Sequence, residues 1–164
     1  MHESRIAALQ AMPIFGGVRA DVLDALVGSA RVISVAPGEF FFREGDAAES
    51  MFVLEAGEAA VLKSWAGTQR ELRRMRQGDC FGEMALLDLF PRSASVQAVE
   101  PCEALELSTA SLYRLYETDL EQFALVQTNI ARELSRRLRS ADEEMFRARM
   151  GMGAAAPDWV LLLT

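Results

Sequence analysis

Residues Phe81 to Val96, FGEMALLDLFPRSASV, bring together the side chains of this chain best suited to chemistry. Gly82 and Glu83 open a short apolar run with helical spacing, and Arg92 follows just behind Pro91. Gly82 carries no side chain, so a ligand can approach the backbone. The first N–H groups of a helix have no internal partners, and with the helix dipole they favour an anion. Arg92 adds a fixed charge and a planar fork of donors suited to phosphate. Glu83 is an acceptor for a ribose hydroxyl. The set suits one small anion with a sugar attached. Read singly, Gly82 is a turn residue, Pro91 a loop marker, and Glu83 and Arg92 two solvated charges. Only their fixed spacing lifts them above that reading.

These groups need a scaffold, and the chain has enough material for one. It holds 164 residues, 51% of them apolar, which suits a single globular domain. A net charge of −7 argues against a general nucleic-acid binder, while leaving room for one local anion site. Cys80 and Cys102 have no disulfide or metal-ligand spacing and read as small buried hydrophobes. His2 is the only histidine, near the start of the chain. No Ser-His-Asp set, Cys-His pair or His-based metal site can be assembled, so neither an enzyme nor a metal site is expected. The start MHESRIAALQ lacks the apolar run of a signal peptide, and no segment reaches membrane-spanning length. A cytoplasmic protein without a membrane partner is the expectation.

Helical spacing over residues 3–12, ended by Pro13, predicts a first helix. Ile14 and Phe15 form an apolar hook before Gly16-Gly17, and residues 18–30 predict a second helix. From Arg31 the apolar period changes to two. Strands are expected over 31–36, 40–42, 51–55, 59–64, 71–75, 93–99 and 102–107, with turns at Gly38, Gly45, Gly57 and Gly78. Short strands at this spacing read as an antiparallel β jelly-roll barrel over about 31–107, interrupted by one small helix at 83–88. The class is α+β, mainly β. Ser108 or Thr109 can cap a short helix holding Leu112, Tyr113 and Leu115. Thr118-Asp119-Leu120-Glu121 reads as a capping box opening a long helix over about 119–150. Its seam of Ile130, Leu134, Leu138, Ala141, Met145 and Ala148 suits pairing with a second copy. The first turns are expected to pack on the barrel. Residues 1–150 read as one domain and 151–164 as a tail with an apolar end, Trp159 to Leu163.

The segment FGEMALL-DLF-PRSA resembles the phosphate-binding cassette of the cyclic nucleotide-binding domain family, without a gap. The long helix behind it resembles the catabolite activator type. The resemblance covers residues 10 to 148. It implies that Glu83 binds the ribose 2′-hydroxyl and Arg92 the cyclic phosphate. It also places Phe81, Gly82, Met84, Ala85, Ser93 and Ala94 around the ligand, and makes Arg136, Arg137 and Ser140 candidate base or lid contacts. Serine at position 93 is found in the catabolite activator type, which uses cyclic AMP, so cyclic AMP is the expected ligand, with cyclic GMP as the alternative. No further cofactor is implied. That type continues into a DNA-reading helix-turn-helix domain where this chain stops. The reading is therefore a stand-alone sensor: a homodimer through the long helix, signalling by conformational change to an unknown protein effector, with no DNA partner. The alternative is a degenerate interaction module of the same fold that no longer binds nucleotide.

Overall fold

The computed structural model describes residues 2–88 and 90–151. Contacts group the chain into two units, Met1–Asn129 and Ile130–Thr164. The first unit begins with α1 (His2–Gln10), a 3-10 turn (Pro13–Phe15) and α2 (Ala20–Ser29). Eight strands follow: β1 (Arg31–Val35), β2 (Phe40–Phe42), β3 (Ser50–Ala56), β4 (Ala59–Trp65), β5 (Thr68–Met75), β6 (Cys80–Phe81), β7 (Ser95–Ala98) and β8 (Cys102–Ser108). A second 3-10 turn, Glu83–Leu86, separates β6 from β7, and α3 (Thr109–Thr118) precedes α4 (Leu120–Arg149).

The strands form two four-stranded antiparallel sheets, ordered β1-β8-β3-β6 and β2-β7-β4-β5. Alternation sets which residues face inward. Val32 on β1 is exposed while Val35 is buried. Leu54, Ala59, Val96 and Ala104, from four strands, meet in one core cluster with Phe52, Met75 and Phe81. Cys80 and Cys102 are both buried and neither forms a disulfide, as expected of small hydrophobes. The expected turn glycines all adopt positive φ. Gly57 is constrained further: a Cβ there would sit 2.3 Å from the Pro101 carbonyl oxygen. Any side chain would therefore push β3 away from the start of β8.

The apolar hook is confirmed, since Ile14 and Phe15 are each only 1% exposed. It is held by α4: the Asn129 carboxamide donates to the carbonyls of Ile14 (3.3 Å) and Gly16 (2.9 Å). The Arg19 amide donates to Gln122 Oε1 at 2.9 Å. The first turns of α4 thus bind the N-terminal helices. Ser108 caps α3, its hydroxyl accepting from the Ser111 amide. The capping box at 118–121 is corrected by one position. Thr118 ends α3 and turns its hydroxyl back to the Arg114 carbonyl. Asp119 is the cap of α4, with Oδ1 accepting from the Gln122 amide at 3.1 Å. The strand expected over 93–99 is shorter, Ser95–Ala98, because the Arg92 backbone is held by the Gly45-Asp46 turn and the Ser93 carbonyl by Lys63 of β4. The tail from residue 152, with Trp159 to Leu163, lies outside the described residues.

Candidate functional site

Gly82 ends β6 in the left-handed region, at φ +74° and ψ +11°, and becomes the N-cap of the Glu83–Leu86 turn. Only glycine adopts this geometry at no steric cost. The expected helix is a single 3-10 turn, and the Ala85 amide is used within it by the Gly82 carbonyl at 3.2 Å. The sequence reading reserved the open face of Gly82 for a ligand. The structure places an arginine there: a Cβ on Gly82 would lie 2.7 Å from Arg92 Nη1.

Arg92 is 7% exposed, and Glu83 is 2% exposed on the neighbouring turn. The guanidinium lies with Cζ 4.0 Å from the Phe42 ring centroid, a cation–π contact. Nη1 donates to the Gly82 carbonyl at 3.2 Å, and Nη2 reaches Ser50 Oγ at 3.5 Å, the limit of a hydrogen bond. Ser50 is itself engaged, donating to Glu106 Oε1 at 2.9 Å. Arg92 Nε is buried and has no hydrogen-bond partner. Burial pushes the guanidinium pKa below its ordinary value, against the opposing fields of Asp46, Glu106 and Glu83. The site therefore holds a cation that its own neighbours undercompensate.

The backbone of Arg92 is fixed from both sides. Its amide donates to the Asp46 carbonyl and its carbonyl accepts from the Gly45 amide, each at 2.9 Å. Asp46 closes its own turn by accepting from the Arg43 amide at 2.8 Å. The Glu44 amide donates to Ser95 Oγ at 2.8 Å. Lys63 bridges the Ser93 carbonyl, at 2.6 Å, and the Glu44 carboxylate. That contact and the Ser64 amide hold the Glu44 carboxyl below the usual carboxylate range. Beneath the site Phe41, Phe42, Phe52 and Phe81 form one ring cluster, with Phe52 and Phe81 stacked at 5.2 Å.

The structure brings Gly82, Glu83, Ala85 and Arg92 together. Ser93 is exposed, its hydroxyl 4.0 Å from the sulfur of Met84, which is also exposed. Ala94 is half-buried beside it. Phe81 is a core residue at 2% exposure, and its ring is committed to the aromatic cluster. Arg136 and Arg137 belong to the second unit, where both pair with Glu133, and the Ser140 hydroxyl donates to the Arg136 carbonyl. Sequence reasoning missed Phe42, Ser50, Asp46 and the Lys63–Glu44 bridge. Only Gly45 carried a signal, as a turn glycine.

A basic donor fork buried behind a left-handed Gly82, beside a buried glutamate, is the feature around which relatives can be compared. The model of the cyclic nucleotide-binding domain matches residues 32–119. The chain belongs to that family. It is 32% identical over 138 residues to the cyclic AMP receptor protein of Thermus thermophilus, covering 84% of this chain and 62% of that protein. The crystal structure of the catabolite activator protein from the same organism superposes with a TM-score of 0.73 at 31% identity, over 84% of this chain and 63% of that one. A co-crystal structure of the regulatory domain of Toxoplasma gondii PKA with cAMP superposes with a TM-score of 0.66 at 26% identity, over 69% and 43%. This cyclic nucleotide-binding domain thus spans less than two thirds of the length of each of these relatives.

Proposed function

We propose that this domain is a sensor that binds cyclic AMP at the 81–94 cassette and passes the event to a protein partner by conformational change. The observation that carries the reading is the buried, unpartnered Arg92 Nε on a guanidinium whose other donors have only long or neutral acceptors. A buried donor without an acceptor is costly unless something else completes it. A cyclic phosphate supplies both the acceptor oxygens and the negative charge. Glu83, on the adjoining turn, is the acceptor for the ribose 2′-hydroxyl, and a carboxylate is tolerated near the phosphate because Arg92 compensates both. Gly82, Met84, Ala85, Ser93 and Ala94 complete the wall, and cyclic AMP is preferred to cyclic GMP because the catabolite activator type, which uses cyclic AMP, has serine at the position of Ser93. The relatives support this ligand, one being named a cyclic AMP receptor and another having been crystallised with cAMP.

A route out of the site starts at Leu86, the end of the cassette turn. Its carbonyl accepts from Gln127 Nε2 on α4 at 3.2 Å. A nucleotide that moves the turn bears on this bond, which biases α4 between two positions. Calorimetry with cyclic AMP and cyclic GMP tests the binding. Saturable heat with cyclic AMP is expected, and Arg92→Ala is expected to lose about 2–5 kcal/mol of binding energy. Unchanged affinity in that variant removes the cassette from the account. Absence of heat from any cyclic nucleotide leaves the degenerate interaction module as the better reading.

A further inference from the structure

The β4–β5 hairpin differs chemically from the rest of the molecule. We propose that it is a contact point for an anionic phospholipid surface, with Trp65 inserting at the apex and basic side chains holding it there. The proposal is independent of the nucleotide site. Residues 58–76 carry five basic and two acidic side chains in a chain of net charge −7. Every residue of β5 before Met75 is exposed. Trp65 at the apex is 84% exposed, the highest value of any large apolar side chain among the described residues. It pairs with Thr68 across a two-residue turn, Ala66-Gly67, with both residues at positive φ. This is the compact turn of a two-residue hairpin.

The charges next to the apex do not satisfy one another. Lys63 stands directly opposite Arg70, and like charges so placed disfavour the hairpin. Lys63 is tied to Glu44, while Arg74 pairs with Glu58 and Glu71. The Arg70 guanidinium has no ion-pair or hydrogen-bond partner among the described residues. An indole with a polar N–H, beside long cationic side chains, has the amphipathic character that the bilayer interface selects. Each cation near an anionic leaflet strengthens binding by roughly fivefold. The acidic remainder of the chain is repelled by the same surface, which restricts the contact to the hairpin.

Two other partners fit less well. Strand addition along β5 is opposed by its arginines and by the bulge that leaves Leu72 exposed. A protein seated on the apex alone would cover far less than the roughly 800 Å² per partner of a stable interface. No helix among the described residues is long and apolar enough to cross a membrane, and a surface contact needs none. The inference revises the sequence expectation of no membrane partner.

The chain has two tryptophans, so Trp159→Phe leaves Trp65 as the sole indole reporter. This variant is titrated with phosphatidylcholine vesicles, with the same vesicles containing phosphatidylglycerol, and with duplex DNA. Emission and co-sedimentation are read at low and physiological salt. The expected result is a blue shift and sedimentation with the anionic vesicles alone, weakened by salt. In the natural background, Trp65→Ser is expected to abolish sedimentation. Arg70→Glu reverses one charge and is expected to weaken it by roughly tenfold or more. Arg70→Glu also replaces a like-charge pair by an attractive one with Lys63, so unfolding does not account for a loss. Equal binding to neutral vesicles, no binding to either kind, retained binding in both variants, or binding to DNA in place of vesicles each overturns the proposal.

Discussion

Burying a guanidinium with one N–H unpartnered costs free energy, and the fold holds Arg92 in that state through its backbone. It follows that Arg92→Met leaves the nucleotide-free protein no less stable, since an undercompensated buried cation is removed. The rise in melting temperature on adding cyclic AMP is expected to disappear in the same variant. Thermal melts with and without nucleotide check both halves, and a large loss of stability without ligand would count against the site being incomplete. Gly82 is bound to the same side chain. A methyl there meets Arg92 Nη1 at 2.7 Å and must also accept a φ of +74°. Gly82→Ala is expected to cost about 1–2 kcal/mol in urea unfolding from the backbone alone, and to weaken nucleotide binding by displacing the arginine. Gly82, Glu83 and Arg92 were legible in the sequence as candidate site residues, and the structure brings them together. Phe42 and Ser50 were not, because nothing in a linear pattern shows which phenylalanine of Phe40-Phe41-Phe42 lies under a cation arriving from residue 92.

Strand and helix positions were mostly legible, since burial on one face imposes the period. The exceptions are instructive. β6 is two residues long, and its only local cue was the cassette that begins there. It exists because β3 offers Phe52 and Val53 as partners. The start of α4 was read one residue early, because Thr118 and Asp119 both carry capping oxygens. Thr118 is taken by the last turn of α3. Asp119→Ala is expected to destabilise the protein by about 1 kcal/mol through the lost cap, measurable by urea unfolding, whereas Thr118→Ala should cost less. The loop around Glu44 makes a pH prediction. Its carboxyl is held below the usual range by Lys63 and the Ser64 amide. A lowered folded pKa contributes stability that is present above the unfolded value and lost as pH falls through the folded value. Wild-type protein should therefore exceed Lys63→Met in stability at neutral pH, and the difference should vanish on acidification below the carboxylate range. Melting curves against pH check this.

Two sheets meeting at one core carry the cassette on the β6–β7 connection, and the first turns of α4 hold the N-terminal helices by Gln122 and Asn129. The second unit, from Ile130, continues along α4 and leaves Leu138, Met145 and Phe146 exposed. Leu138 and Met145 are members of the seam read from the sequence. An exposed apolar stripe on a helix is the usual surface for self-pairing. Dimerisation through this stripe remains our proposal, and Leu138→Glu is expected to convert a dimer to a monomer in light scattering while leaving cyclic AMP binding measurable. A wild-type monomer at high concentration would rule it out.

By itself the sequence determined the order of elements, the turn glycines and the family to which the chain belongs, because these depend on local periodicity, on φ and on fixed short spacing. Only the tertiary structure decided that Arg92 covers Gly82, that its Nε lacks an acceptor, and that Lys63 and the 43–46 loop clamp the cassette. The Arg92–Gly82 contact is local, but it stands on Phe42 and Ser50, and the other contacts likewise join segments far apart in the chain. Their geometry is set by how the two sheets close over a shared aromatic core, which no window along a linear sequence contains.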